Sequence, residues 1–183
     1  MKTCYLIHGI ETRNPQRSTI SFLKHMLVNF RVKILDYGYF PVIFAPFAMV
    51  FNYIAMRKLK KHVRPNSILI GHSNGCTIAY GLSKDVYMHG LVLINPALDP
   101  DVEFDPLLKF IHVYWSDKDR VTWLSKFIPF SLWGSMGTTG YIGRDPRVRQ
   151  WKMGGSHTDI GDAETAVVWG PIIVANLNGE FKD

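Results

Sequence analysis

The sequence has few cysteines, and their positions argue against a metal site. Only 2 of the 183 residues are cysteines, Cys4 and Cys76, with no C-x-x-C spacing and no Cys/His cluster. This arrangement does not match the ligand patterns of zinc sites. The simplest interpretation is a pair of free thiols in a reducing, cytoplasmic compartment, with no metal and no cofactor.

The sequence also lacks a signal-peptide pattern and an unbroken membrane span. The stretch MKTCYLIHGIETRN has too short an apolar segment for a signal peptide and is typical of a first strand followed by glycine. Residues 37–56 carry no charge and are numerous enough to cross a bilayer. Pro41 and Pro46 would break such a helix in its first half. We therefore predict a buried strand at residues 42–45 and a helix at 47–62.

Acidic residues are fewer than basic ones. Lys and Arg outnumber Asp and Glu by 21 to 15, which gives a formal charge of +6. Because the excess is spread thinly, a solvated basic face is the simplest interpretation, and we expect no nucleic acid partner. An anionic partner stays open, including weak contact with a membrane surface through the helix at 47–62, which is apolar at Val50, Phe51 and Ile54.

The organisation of the chain predicts one α/β domain over residues 1–183. No repeat, low-complexity tract or linker divides the sequence, which is 47% hydrophobic. Short, continuously apolar runs alternate with helical patterns, as in a parallel sheet covered by helices on both faces. The strand candidates are residues 4–7, 42–45, 67–70, 91–94, 110–115 and 148–153, and the helix candidates are 18–30, 47–62, 76–84, 121–127 and 163–176.

Side chains suited to catalysis follow several of these strands, where open α/β sheets bind their ligands. Ser73 lies in Gly71-His72-Ser73-Asn74-Gly75, which matches G-x-S-x-G between a strand and a helix. Asp117 and Asp119 follow the strand at 110–115, and His157 follows the last strand. A serine, an acid and a histidine in this chain order are typical of α/β-hydrolases.

On these residues the sequence resembles the α/β-hydrolase superfamily over essentially its whole length, and it is most similar to small serine esterases and lipases. The resemblance implies a parallel sheet of about six strands in the order 2-1-3-4-5-6. It also implies a nucleophile at Ser73, a proton acceptor at His157 and an acid at Asp119. The backbone N–H groups of Ile10 and Asn74 match the positions that form the oxyanion hole.

Each residue type has a physical reason for its expected role. Glycines at 71 and 75 permit a turn sharp enough to project the Ser73 hydroxyl. That hydroxyl is protonated at neutral pH, so an imidazole must accept its proton, and a carboxylate must fix the imidazole tautomer. We prefer Asp119 over Asp117 as this acid. In the alternative, Asp117 takes the role and Asp119 caps the following helix.

Nearby residues have simpler interpretations. For His8 and His72, structural hydrogen bonding is favoured over proton transfer, and Cys76 is expected to pack as a small hydrophobe. Residues 129–143 mix large apolar side chains with glycines, so they form either a flexible connection or a mobile wall of the substrate pocket. In the second case the wall would consist of Phe130, Leu132, Trp133 and Met136.

The function predicted from these features is serine-dependent, carboxylesterase-like hydrolysis of a small-molecule ester or thioester through an acyl-enzyme on Ser73. Two alternatives stay open because a fold hosts many functions. One is a catalytically silent binding protein on the same fold, and the other is a lipase that acts at membrane surfaces. The sequence does not indicate the oligomeric state.

Overall fold

The computed structural model describes residues 1–125, 133–159 and 163–181, and a six-stranded sheet forms its centre. The strands lie in the order β2-β1-β3-β4-β5-β6, and every neighbouring pair is parallel. This confirms the predicted α/β class and strand order. The strands are β1 (Thr3–Ile7), β2 (Arg31–Leu35), β3 (Ile68–His72), β4 (Gly90–Ile94), β5 (Phe110–Trp115) and β6 (Val148–Lys152).

Helices cover both faces of this sheet. The helices are α1 (Leu23–Met26), α2 (Ala48–Lys60), α3 (Asn74–Asp85), α4 (Arg120–Ser125), α5 (Met136–Thr139) and α6 (Ala163–Gly179), with 3-10 turns at Pro15–Arg17 and Val42–Phe47. Buried side chains of α2 and α3 join one apolar cluster, and those of α1 and α6 join another. The sheet is therefore the middle of three layers.

The two clusters explain why the central strands are apolar without interruption. Successive side chains of a strand point to opposite faces. Leu69 of β3 accordingly packs in the α2/α3 cluster, whereas its neighbours Ile68 and Ile70 pack in the α1/α6 cluster. Cys4 and Cys76 are buried free thiols in these layers. Burial raises the pKa of Cys4 to about 12, so this thiol stays protonated and unreactive.

The second strand of the sheet differs from the prediction. Residues 42–45, expected to form a buried strand, belong to the 3-10 turn Val42–Phe47, and the strand beside β1 is Arg31–Leu35. The prediction was wrong because β2 is an edge strand, which only β1 pairs. An edge strand tolerates the alternation of charged and apolar residues seen in RVKIL, and a search for continuous apolar runs misses it.

The helix predicted at residues 18–30 is also wrong, because only Leu23–Met26 is α-helical. The preceding residues form tight turns in which each N–H bonds the carbonyl three positions back, as in Ser21 to Ser18 and Leu23 to Ile20. Five apolar residues recur at helical spacing in this segment, and four of them, Ile20, Leu23, Leu27 and Phe30, are nevertheless buried, whereas Met26 is half-buried. The apolar pattern therefore identified most of the buried side chains but not the backbone that carries them.

Among the residues that the structure describes, no helix has both the length and the apolar character needed to cross a bilayer. The uncharged run at residues 37–56 is divided between an irregular segment, the 3-10 turn and the first part of α2. The prolines within the run lie outside α2, as their effect on helices requires.

Candidate active site

Ser73 occupies a strained turn between β3 and α3. Its backbone has φ 56° and ψ −126°, a region that residues with a side chain rarely adopt. The flanking glycines make room for this turn. A Cβ on Gly71 would lie 2.6 Å from the carbonyl oxygen of Gly75, and a Cβ on Gly75 would lie 2.2 Å from that of Ile7. We call this turn the elbow, and its geometry depends on both glycines.

We predict that Gly75→Ala lowers the free energy of unfolding by more than about 2 kcal/mol, because the added methyl group meets the backbone of β1, which cannot rotate away. Urea denaturation followed by circular dichroism measures the change. Gly154→Ala is the control, since its Cβ would have no neighbour within 4 Å. Equal stability of the two variants would contradict the tight packing of the elbow against β1.

Hydrogen bonds join three side chains into one chain at the carboxyl edge of the sheet. His157 Nδ1 lies 2.7 Å from Asp119 Oδ2, and His157 Nε2 lies 2.7 Å from Ser73 Oγ. A carboxylate can only accept, so Nδ1 carries the hydrogen and the lone pair of Nε2 accepts the Ser73 hydroxyl proton. The imidazole is therefore in the tautomer that can remove a proton from Ser73.

Asp119 is held more tightly than Asp117. Its side chain is fully buried, and its Oδ1 accepts a 3.0 Å hydrogen bond from the backbone N–H of Thr122 in α4. Asp117 instead lies at the surface in a 2.8 Å ion pair with Lys152. The hydrogen bond from Lys152 lowers the pKa of Asp117. The structure thus places Asp119, and not Asp117, against His157.

Two donors fix the backbone of His157. The Nε2–H of His72 and the side-chain amide of Asn95 each donate to the His157 carbonyl oxygen at 3.0 Å. His72 makes the structural hydrogen bond expected of it. Asn95 was not predicted, although its place directly after β4 is a signal that could have found it. These contacts link the loop after β6 to the elbow after β3.

Burial keeps His72 neutral. Desolvation, followed by the nearby His157, lowers the pKa of His72 from 6.5 to about 3. An unfolded chain would bind a proton at this residue below about pH 6.5, whereas the folded protein would not. Stability contributed by the neutral form is therefore present above pH 6.5 and is lost as the pH falls from 6.5 toward 3.

We accordingly expect His72→Gln to have a shallower pH dependence of unfolding than the wild type, by roughly 1–4 kcal/mol between pH 6.5 and 4. Glutamine keeps an N–H donor but does not titrate. Some dependence should persist, because desolvation also lowers the pKa of His8 and of His112. Urea denaturation across the pH range measures the slope, and parallel curves for the two proteins would contradict the prediction.

The two residues predicted to supply oxyanion-hole N–H groups, Ile10 and Asn74, belong to segments next to Ser73. A Cβ on Gly9 would lie 3.1 Å from the Cβ of Ser73, so the loop carrying Ile10 passes directly over the elbow. Asn74 is the first residue of α3, whose N-terminal end favours negative charge. Within the described part of the chain, no backbone acceptor pairs with the N–H of Ile10 or Asn74. That these N–H groups form an oxyanion hole stays a prediction from the sequence.

The Asn74 side chain is held in place by groups that the sequence interpretation missed. Asn52 of α2 and Asn74 exchange two side-chain hydrogen bonds, of 3.0 and 2.8 Å. The indole N–H of Trp133 also donates to Asn74 Oδ1 at 2.6 Å. Asn52 shares the buried face of α2 with Ala48 and Ala55. A polar residue at a core-facing position of an apolar helix is the signal that could have identified Asn52.

An open cleft of about 490 Å³ leads to Ser73 and His157. Its other walls come mainly from the polar loop at residues 9–19, including Arg13 and Arg17.

The apolar wall that the sequence predicted for the substrate pocket is not found in the described residues. Trp133 and Met136 are buried in the protein interior and do not line the cleft, because both pack against core side chains. Phe130 and Leu132 lie outside the described residues.

The residues described here offer no metal site. No group of three or more His, Cys, Asp or Glu side chains lies close enough together to hold an ion. Two acidic side chains near His157 already have partners: Asp119 is hydrogen-bonded to His157, and Asp159 to the backbone and hydroxyl of Ser156. What this arrangement can do by itself is move a proton from a serine hydroxyl to an imidazole.

Comparison with solved structures shows that the chain has the α/β-hydrolase fold. The mouse alpha/beta hydrolase domain-containing protein 10 superposes with a TM-score of 0.64 and 10% identity, over 98% of this chain and 90% of the mouse chain. A thermostable carboxylesterase from a metagenomic library gives 0.60 and 13%, over 100% and 81%. A Xanthomonas campestris protein assigned to the alpha/beta hydrolase superfamily gives 0.59 and 14%, over 98% and 99%. No family model and no curated protein sequence matches the chain.

Proposed function

We propose that this chain is a serine hydrolase of small esters or thioesters. The observation that carries the proposal is the pair of 2.7 Å hydrogen bonds joining Ser73, His157 and Asp119. Side chains distant in sequence meet at the strained turn, and two of them, Ser73 and His157, line the cleft. A serine with this environment has the activated hydroxyl that nucleophilic catalysis requires.

Acylation would begin when Ser73 Oγ attacks the ester carbonyl carbon while His157 Nε2 takes the hydroxyl proton. The carbonyl oxygen gains negative charge and receives hydrogen bonds from the N–H groups of Ile10 and Asn74, each worth ~3 kcal/mol in related sites. Collapse of this intermediate breaks the bond to the alcohol or thiol, which leaves with the proton from His157. The acyl group stays on Ser73.

Deacylation would repeat these steps with water. His157 Nε2 takes a proton from a water molecule, and the resulting hydroxide attacks the acyl carbon. The Ser73–acyl bond breaks, Ser73 recovers its proton from His157, and the carboxylic acid departs. Asp119 keeps its hydrogen bond to His157 Nδ1 and stabilises the imidazolium at both stages. Its burial and its hydrogen bond from Thr122 N–H hold it in position for this role.

The cleft favours a small substrate that is partly polar. A volume of about 490 Å³ lies within the range of small-molecule sites. Polar and charged side chains of residues 11–19, including Arg13 and Arg17, supply much of the described lining. A short acyl group with a polar or anionic substituent fits such a lining better than a long alkyl chain. The resemblance to a carboxylesterase structure supports esters as the first substrates to test.

A fluorophosphonate probe tests this proposal independently of the natural substrate. An active serine hydrolase forms a bond from Ser73 Oγ to phosphorus and releases fluoride. We expect the wild type to be labelled at Ser73 and the variants Ser73→Ala and His157→Ala to stay unlabelled. A catalytically silent binding protein on the same fold would not react. An unlabelled wild type that hydrolyses no ester in a chain-length panel would overturn the proposal.

A further inference from the structure

One side of the molecule exposes an unusual concentration of large apolar side chains. They come from the 3-10 turn and the first half of α2, and each is more than half exposed: Ile43, Phe47, Met49, Val50, Tyr53 and Ile54. We call these residues the apolar patch. Single exposed apolar side chains are ordinary on protein surfaces, but so many adjacent ones mark a site of interaction.

The apolar patch belongs to a helix whose other side is fixed to the protein. The buried residues of α2, Ala48, Asn52, Ala55 and Leu59, recur at intervals of three and four and face the core. Asn52 is further tied to Asn74 by the paired side-chain hydrogen bonds. The patch on the opposite side therefore cannot be buried by rolling the helix inward without breaking these contacts.

The sequence segment that carries the apolar patch has charges of one sign only. No Asp or Glu occurs in residues 37–84. The exposed side of α2 changes from apolar to basic at its C-terminal end, where Arg57, Lys58 and Lys60 lie in the last turn and Lys61 follows. Within this basic turn, Lys60 pairs with Asp85 at 3.1 Å. An apolar face bordered by cations is typical of helices that lie in the interface of an anionic bilayer.

The same charges argue against a second copy of this chain as the occupant. A symmetric dimer through α2 would bring two identical surfaces together. Residues 37–84 of a partner copy would offer no carboxylate to the basic turn. Lipid headgroups with negative charge satisfy those cations while the acyl region accepts the apolar side chains.

The helix that carries the apolar patch is linked by contacts to residues that line the candidate cleft. Phe40 stacks on Phe51 of α2, with ring centroids 4.5 Å apart. The carbonyl oxygen of Phe40 accepts a 2.9 Å hydrogen bond from the N–H of Glu11, a residue that lines the cleft. Arg13, also in the cleft wall, lies 5.5 Å from the ring of Tyr39. A partner that binds the exposed side of α2 would therefore lie close to residues that line the cleft.

We propose that the apolar patch and the basic turn of α2 dock the protein on an anionic lipid bilayer as a peripheral membrane protein. The apolar side chains enter the headgroup and upper acyl region, and the cations contact the lipid phosphates. The α2 axis lies along the membrane surface, with its core-facing side turned toward the protein. This inference does not rest on ester hydrolysis, since docking needs neither Ser73 nor His157.

Vesicle sedimentation with the full chain tests the proposal. We expect binding to vesicles of phosphatidylcholine with phosphatidylglycerol, weaker binding to phosphatidylcholine alone, and loss of binding as salt is raised. Ile54→Glu should weaken binding to the anionic vesicles about tenfold or more, because it places a charge in the apolar contact. Lys58→Glu should weaken it about fivefold or more, since each cation near the surface contributes ~1 kcal/mol.

The matched control is Val167→Glu on α6. Val167 is 72% exposed and lies on the opposite face of the sheet, so its variant should bind like the wild type. Ser73→Ala should also bind like the wild type, which separates docking from catalysis. Absence of vesicle binding, or equal loss in Ile54→Glu and Val167→Glu, would overturn the proposal. A dimer that Ile54→Glu dissociates, without vesicle binding, would assign the surface to a second copy and overturn it too.

Discussion

Replacing Ser73 with alanine is expected to lower kcat on an ester substrate by about 10⁴–10⁶-fold, which is the loss that serine hydrolases show when the nucleophile is removed. Alanine has no atom that can attack the carbonyl carbon, so no acyl-enzyme forms. The residual rate would come from the cleft and the N–H groups of Ile10 and Asn74 acting on a water molecule. Stopped or continuous assays with a chromogenic short-chain ester measure the change.

The matched control is Ser83→Ala, which removes a buried serine hydroxyl from the same helix that follows the elbow. The hydroxyl of Ser83 donates to the carbonyl oxygen of Tyr80 within α3. We expect this variant to keep kcat within about threefold of the wild type, because the change costs little more than one hydrogen bond. Ester hydrolysis that survives in Ser73→Ala at a similar level would show that another nucleophile performs the reaction.

Cys76 is not that nucleophile. It lies one turn beyond Ser73, but it is fully buried in the α2/α3 cluster, and its Sγ contacts the carbonyl oxygen of Ile94 at 3.4 Å. Desolvation raises the pKa of the Cys76 thiol far above its usual range. A thiol in this environment has almost no thiolate at neutral pH. The sequence interpretation of Cys76 as a core residue therefore agrees with its surroundings.

The sequence was sufficient to predict the sheet because its central strands are buried on both faces. β3 and β4 are continuously apolar and pair only with other buried strands, so their composition alone identifies them. β2 gave no such signal, since its exposed edge allows Arg31 and Lys33 to alternate with apolar residues. The short apolar run at residues 42–45 was mistaken for it because periodicity cannot separate a strand from one helical turn.

The sequence predicts the site residues that directly follow the carboxyl ends of strands. It does not predict the residues that reach the site through tertiary packing. Ser73, Asp119 and His157 each follow a strand, so topology alone brings them to one edge. Asn52 reaches the elbow from the middle of α2, and no local pattern specifies which residue it meets. Trp133 was expected in the substrate pocket as an apolar wall, but its indole N–H needs an acceptor, which Asn74 provides in the interior.

The remaining large effect concerns the acid, where the sequence left two aspartates open. We expect Asp119→Asn to lower kcat by about 10³–10⁴-fold, while Asp117→Asn stays within about threefold of the wild type. Asparagine keeps the size of the side chain, but its amide can donate a hydrogen to His157 Nδ1. The imidazole then carries its hydrogen on Nε2, and that nitrogen can no longer accept the proton of Ser73.

The two aspartates differ in burial as well as in position, so their variants should differ strongly in activity. Asp119 is fully buried against His157, whereas Asp117 is exposed and paired with Lys152, so solvent screens the charge that its variant removes. Fluorophosphonate labelling rates and kcat should fall together in Asp119→Asn, while its circular dichroism spectrum stays that of the wild type. The reverse result, with a large loss in Asp117→Asn alone, would require the loop after β5 to rearrange during catalysis, and Asp119 would then serve only to cap α4 through Thr122 N–H.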